Sequence, residues 1–149
     1  MGQQQLLLVV LVVIIVGVTT IIAVNVLGIR ADESNRDAVR QELLTAASHA
    51  QEVWERPESF EGAARNFSNL DNSSILEGLR FIGTVESGQV MNMNGTYYIV
   101  SKGISEILLR GEPKSGGNNI ETYVCYASEA NTWLMNTDSP TASKPESCD

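Results

Sequence analysis

Charge is missing from the first part of the chain, where no Asp, Glu, Lys or Arg occurs before Arg30. Proline and aromatic residues are missing there too, because the first proline is Pro57 and the first aromatic residue is Trp54. Without proline this stretch has no strong helix breaker, and without charge it carries little cost of burial in lipid. The lack of a positively charged start also disfavours a secretory signal peptide.

Histidine is equally scarce, which limits the chemistry that the chain can perform. His49 is the only histidine, and no cysteine lies near it in the sequence to share a metal ion, so it is predicted to be a surface or packing residue. The sequence contains no CxxCH, GxGxxG or GxxxxGK[ST] motif for haem or phosphate binding. We therefore predict a protein that is not an enzyme and that has no metal or cofactor.

Basic residues are outnumbered. The sequence contains 10 Lys and Arg but 18 Asp and Glu, and the resulting net charge of −8 belongs entirely to the chain from Arg30 onward. Nucleic acids and anionic surfaces are bound by clustered positive charge. The composition therefore disfavours nucleic acid as a partner.

The stretch without charge is a 22-residue apolar run from Leu6 to Leu27. A helix of that length, rising about 1.5 Å per residue, would be about 33 Å long and would match a hydrocarbon core of about 30 Å. We predict that residues 1–29 form a membrane-spanning helix. The charges at its ends do not decide its orientation. Its apolar side chains are Leu6, Leu7, Leu8, Val9, Val10, Leu11, Val12, Val13, Ile14, Ile15, Val16, Val18, Ile21, Ile22, Val24, Val26 and Leu27.

The helix is predicted to continue as an amphipathic segment over residues 30–56. Residues 38–55 are rich in strong helix formers, and their apolar members recur at spacings of three and four. One stripe results, formed by Val39, Leu43, Ala46, Ala47, Ala50, Val53 and Trp54. Such a stripe packs against another layer of the fold, for which a sheet is available later in the chain.

After Pro57 the pattern changes from helical to strand-like. Residues 57–77 are predicted to be a connecting loop with one short helix near 59–66, and residues 78–149 a globular head. Alternating segments predict six strands, at 78–86, 89–94, 96–101, 104–110, 121–128 and 132–136. The fold class is therefore α+β: a long N-terminal helix with an apolar first half, packed on an antiparallel β-meander.

Two short signals refine the head. Asn94-Gly95 between two strands predicts a type I′ turn, in which both residues have positive φ. Asn66, Asn72 and Asn94 each begin an N-x-[ST] triplet, which marks candidate N-glycosylation sites, although such triplets also recur by chance.

Cys125 and Cys148 are the only cysteines. An even count in a small exported domain predicts one disulfide, which would tether a polar, proline-bearing tail to a strand. Two free buried thiols in a reducing compartment are the alternative.

The order of these elements resembles that of bacterial type IV pilins and the related pseudopilins. The resemblance rests on the apolar run Leu6 to Leu27, its amphipathic continuation, the meander, and the pair Cys125 and Cys148, which matches the family's disulfide-bounded C-terminal region. In such proteins the apolar helix anchors the subunit in the inner membrane and later packs with copies of itself in the core of a filament.

The resemblance implies a structural subunit of an extracellular cell-surface filament that polymerises through its N-terminal apolar helix. Its implied partners are identical subunits, the inner membrane before assembly, and the pilus assembly machinery. Two other functions are compatible with the sequence: a minor pseudopilin of a secretion or uptake machine, and a single-span membrane protein with an extracytoplasmic binding domain.

The N-terminus departs from the family pattern. Relatives carry a basic leader that is cut, and a glutamate near the start of the mature chain that pairs with a neighbour's amino terminus. Here the equivalent position is Gln5, or Leu7 if cleavage follows Gly2, and neither residue is acidic. In a filament, the triplet Gln3 to Gln5 would substitute neutral hydrogen bonds, which are weaker than charge-assisted ones.

Overall fold

A computed structural model of the protein describes residues 2–148. It begins with one helix, α1 (Gly2–Glu55), and a second helix, α2, spans Asn72–Gly78. The strands are β1 (Thr84–Glu86), β2 (Gln89–Met91), β3 (Gly95–Lys102), β4 (Glu106–Pro113), β5 (Ile120–Ala127) and β6 (Thr132–Asp138). The chain divides into two compact units at the boundary between Ser34 and Asn35, whereas the sequence suggested a boundary after residue 29.

The six strands form one open antiparallel sheet in the order β1-β2-β3-β4-β5-β6, so that each strand pairs with the next along the chain. The α+β class and the antiparallel meander are thereby confirmed. The register is regular except between β3 and β4, where it shifts between Ile99 and Ser101.

The second part of α1 packs on one face of this sheet. Its seven buried residues are Val39, Leu43, Ala46, Ala47, Ala50, Val53 and Trp54, which are the members of the predicted stripe. They share one hydrophobic core with alternate residues of the central strands, including Tyr97 of β3, Leu109 of β4 and Val124 of β5. The core therefore lies between one face of the helix and one face of the sheet. This is expected from the spacing of three and four between apolar residues in the helix and from their alternation along the strands.

The expected connecting loop 57–77 is more structured than the sequence suggested. In place of one short helix near 59–66 it contains two 3-10 turns, Glu58–Phe60 and Phe67–Asn69, followed by α2. Asp71 begins α2 by accepting hydrogen bonds from the Ser74 amide and hydroxyl, at 3.1 Å and 2.6 Å. This cap, together with the buried residues Ile75, Leu76 and Leu79, favours a helix at the end of the segment that was expected to be a loop. The first strand, expected at 78–86, is limited to Thr84–Glu86.

The predicted type I′ turn at Asn94-Gly95 is wrong, because neither residue is among those with positive φ in the described part of the chain. The β2-β3 connection is longer, since Met91 pairs with Thr96 and four residues lie between them. The Asn92 side chain shapes this loop: its Oδ1 accepts hydrogen bonds from the Asn94 and Gly95 amides at 2.8 Å and 3.0 Å. The Asn92 side chain therefore stabilises this longer loop, and the positive-φ backbone of a two-residue turn is not needed.

Candidate assembly interface and head surface

The apolar part of α1 is exposed on all sides. The seventeen apolar side chains predicted between Leu6 and Leu27 are 48–70% exposed. No residue in its most apolar 18-residue window is buried within the chain, so this segment differs from the core helix of a soluble protein. Its length and composition are sufficient to cross a membrane. Such a surface requires lipid or other apolar helices around it.

Threonine hydroxyls inside the apolar segment are satisfied within the helix. Thr19 Oγ1 donates to the Ile15 carbonyl at 2.9 Å, and Thr20 Oγ1 donates to the Val16 carbonyl at 2.7 Å. These bonds remove two polar groups from the apolar surface. The segment therefore presents an almost wholly apolar exterior to its surroundings.

The start of α1 has no acidic side chain in its first turn. Gln3, Gln4 and Gln5 occupy that turn instead, and all three are exposed. A helix start carries unpaired backbone N–H groups and partial positive charge. An amide side chain supplies an acceptor there without a formal charge.

The predicted disulfide joins Cys125 and Cys148, whose Cα atoms are 6.0 Å apart. Cys125 lies on β5 and is buried, and Cys148 lies in the tail segment 139–148, which contains no helix or strand. The bond therefore ties the tail to strand β5, and a tether between the tail and a strand is what the sequence predicted.

Other contacts also hold the tail against the sheet face opposite α1. The backbone amide of Ala142 donates to Glu121 Oε2 at 3.0 Å, and the side-chain Nδ2 of Asn136 donates to the Ser143 carbonyl at 3.0 Å. Lys144 Nζ forms an ion pair with Glu106 Oε2 at 2.9 Å. We call residues 139–148 the C-terminal strap.

Glu121 is a buried carboxylate under this strap, only 2% exposed. Arg110 on the neighbouring strand donates to its Oε1 through Nε at 2.7 Å and also through Nη2. With the Ala142 amide, these bonds give the carboxylate partners for both oxygens, which a buried charge requires. The sequence did not reveal this pair, because the strap that covers it comes from a distant part of the chain.

A second carboxylate under the strap has a perturbed pKa. Tyr123 Oη donates to Glu106 Oε2 at 2.6 Å, and this bond, followed by the nearby Lys144 charge, holds the pKa of Glu106 below its usual range. Burial, followed by the same hydrogen bond, raises the pKa of Tyr123. Both residues therefore keep their ordinary forms, carboxylate and phenol, across neutral pH.

The three glycosylation triplets occupy different environments. Asn94 donates through Nδ2 to Glu42 and is partly buried, so its amide nitrogen is already engaged. Asn66 uses its Oδ1 to accept from the Ser68 amide at 2.9 Å. Asn72 is the first residue of α2 and is partly exposed. Asn94 is thus the least suited of the three to carry a glycan.

His49 lies on α1, is partly exposed, and has its Nδ1 3.6 Å from Glu52 Oε2. Within residues 2–148, no group of three or more His, Cys, Asp or Glu side chains is placed to hold a metal ion.

One feature of the head was missed at the level of sequence. A cleft of about 450 Å³ lies beside the end of α1 and is lined in part by Trp54, Arg65, Tyr126 and Trp133. The two tryptophans lie far apart in the sequence, Trp54 at the end of the predicted helix and Trp133 in the last predicted strand. Their positions alone do not predict that the two side chains meet.

No family model matches this chain, and neither a curated protein nor a solved structure matches it. Its function is therefore inferred from the residues and geometry described above.

Proposed function

We propose that this protein is a structural subunit of a type IV pilus-like extracellular filament, which polymerises through the apolar part of α1. The observation that carries the proposal is the exposure of that segment, whose apolar side chains between Leu6 and Leu27 are not buried within the described chain. A membrane can cover this surface before assembly, and identical helices can cover it in a filament core. The subunit is structural and not catalytic.

The composition of the segment supports packing between copies. Val and Ile predominate between Val9 and Val26. Their branched side chains have few rotamers in a helix, so ordering them between neighbours costs little entropy. A contact between two different surfaces of identical subunits builds a helical polymer when its rotation does not close a ring.

The head supports the same function. It combines an α1 face packed on an antiparallel meander with a disulfide-tethered strap, an arrangement compatible with a pilin-like subunit. Disulfides persist in oxidising compartments, which favours a location of the head outside the cytoplasm. We infer an inner-membrane precursor that becomes part of a cell-surface filament.

The test compares the natural chain with a variant in which residues 6–27 are scrambled. The scrambled segment keeps composition, length and hydropathy, so both chains should insert into the membrane to the same extent. Electron microscopy of cell-surface material should show filaments for the natural chain only, because scrambling changes which side chains meet between neighbours.

Three results would contradict the proposal. Natural protein found only as membrane-bound monomers would favour a single-span membrane protein. Filaments of equal abundance from the scrambled chain would show that the apolar segment acts as a membrane anchor and that assembly resides in the head. A surface abundance far below that of a filament's main component would indicate a minor pseudopilin instead.

A further inference from the structure

The cleft beside the end of α1 is built from three separate parts of the head. They are the last turn of α1, the residue Arg65, and the hairpin between β5 and β6. The volume of about 450 Å³ is within the range of small-molecule sites. The side chains used below are Trp54, Glu55, Arg65, Tyr126, Asn131 and Trp133.

Aromatic rings form one wall of the cleft. The centroid of Trp54 lies 5.0 Å from that of Tyr126 and 5.3 Å from that of Trp133, the second pair being edge-to-face. Trp54 is fixed in place because its Nε1 donates to the Ile104 carbonyl at 2.9 Å. The cleft therefore has a rigid aromatic wall whose ring planes are tilted against one another, and Tyr126 and Trp133 are its partly exposed members.

Arg65 is held at the cleft by a strained backbone. Ala64 and Arg65 have φ of 46° and 66°, a left-handed conformation that is uncommon for residues other than glycine. The Arg65 amide donates to the Trp54 carbonyl at 2.6 Å, and its guanidinium lies 5.8 Å from the centre of the Trp54 ring. Strain of this kind is often retained where it positions a functional side chain.

The Arg65 guanidinium forms no ion pair with a carboxylate in the described part of the chain. Arg110, which also lies over an aromatic ring, is paired with Glu121, whereas Arg65 has no such pair. Its planar group supplies several N–H donors in a fixed arrangement. These donors are available to a bound molecule.

The rim of the cleft also provides an acceptor and a further donor. Glu55 lies there as an exposed carboxylate whose Oε1 accepts from Gln51 Nε2 at 3.2 Å. Asn131 contributes its Nδ2 donor, because its Oδ1 already accepts from Tyr126 Oη. Donors and acceptors together match hydroxyl groups, each of which can do both. The Glu55 carboxylate disfavours an anion, and the polar rim disfavours a purely apolar ligand.

We propose that this cleft binds a neutral saccharide. One face of a pyranose ring lies on the aromatic wall, and its hydroxyl groups bond to Arg65, Glu55 and Asn131. Such a site adds a recognition activity to the head that filament formation does not require.

The test uses tryptophan fluorescence, because the chain has two tryptophans and both line the cleft. Detergent-solubilised full chain is titrated with the trisaccharides maltotriose, cellotriose and triacetylchitotriose, with glycerol as the control for non-specific effects. At least one trisaccharide should produce a saturable change in emission. Arg65→Met should weaken that binding about tenfold, since a charged donor is lost.

Two further variants keep the test independent of folding. Glu55→Gln changes an exposed side chain and should weaken binding several-fold through loss of a charged acceptor. Arg40→Met makes the same charge change as Arg65→Met at an exposed position outside the cleft and should leave binding unchanged.

The proposal is overturned if none of the three trisaccharides gives a saturable change, or if Arg65→Met and Glu55→Gln bind as tightly as the natural chain. Tighter binding of trigalacturonate, an acidic trisaccharide, would overturn the assignment to neutral sugars. None of these outcomes depends on whether the chain forms filaments.

Discussion

Gly111 of β4 lies directly against Val39 of α1, and a Cβ atom at Gly111 would be 2.6 Å from Val39 Cγ1. The same atom would be 3.2 Å from Leu43 Cδ1 and 3.3 Å from Tyr97 Cδ1. The helix and the sheet are therefore in close contact at this point because glycine has no side chain. This contact helps to fix where α1 crosses the head.

Gly111→Ala should destabilise the head by about 1–3 kcal/mol, because an overpacked core must shift. Val39→Ala alone should cost about 2 kcal/mol by leaving a cavity. In the double variant the new methyl group occupies space left by Val39, so the total loss should be clearly smaller than the sum. Urea unfolding followed by tryptophan fluorescence measures all three. Strictly additive losses would contradict the contact.

The disulfide should account for a large part of head stability. Cys148→Ser should reduce the free energy of unfolding by about 3 kcal/mol, because it opens a loop closed between residues separated by 23 positions. Reductant should lower the Tm of the natural chain to about that of Cys148→Ser. It should not change the Tm of Cys148→Ser. An equal Tm for the natural chain with and without reductant would contradict this expectation.

Acid should weaken the contacts under the C-terminal strap. The pKa of Glu106 is depressed in the folded chain by Tyr123 and then by Lys144. A group of this kind stabilises the fold above its unfolded pKa, near 4.5, and loses that contribution as pH falls through the folded value. The natural chain should therefore lose more stability than Glu106→Gln as pH falls below about 4.5.

Tyr123→Phe provides the matched variant, because it removes the donor that contributes most to this depression. Its loss of stability in acid should also be smaller than that of the natural chain. Urea unfolding measured from pH 7 to pH 3 compares the three proteins. Parallel curves for all three would rule out a role of Glu106 in the acid response.

The helical part of the core could be read from the sequence because its signal is local. Val39 to Trp54 repeat at helical spacing, and every predicted member of the stripe is buried. The same holds for β3 and β4, where alternation separates the buried Tyr97 from the partly exposed Tyr98. Local periodicity decides which face of an element is buried, and the partner layer follows from the fold class.

The parts that could not be predicted depend on residues far apart in the chain. Glu121 would be expected at the surface, but the C-terminal strap covers it and Arg110 neutralises it. The cleft likewise combines Trp54 with Trp133, and no spacing rule connects those positions. The start of α2 was not predicted for another reason. A single capping residue, Asp71, is weak evidence for a helix compared with the apolar pattern that follows it.

The Asn92 side chain should be essential to the β2-β3 connection. Its Oδ1 accepts two backbone hydrogen bonds, and its Nδ2 donates to Glu42 Oε2 at 2.6 Å and to the Ile82 carbonyl at 2.9 Å. Asn92→Ala should cost about 1–3 kcal/mol, because partly buried partners lose their bonds. Asn118→Ala, in an exposed loop, should change stability by less than about 0.5 kcal/mol.

Asn92→Asp separates the two functions of this side chain. Aspartate keeps the oxygen that accepts from the loop amides but loses the Nδ2 donor, and it places a carboxylate beside Glu42. At pH 7 we expect it to be at least as destabilising as Asn92→Ala, with part of the loss recovered in high salt as the repulsion is screened. Urea unfolding at low and high salt measures both effects. If Asn92→Asp were as stable as the natural chain, the bonds to Glu42 and Ile82 would contribute nothing, and the loop would be held by the Oδ1 contacts alone.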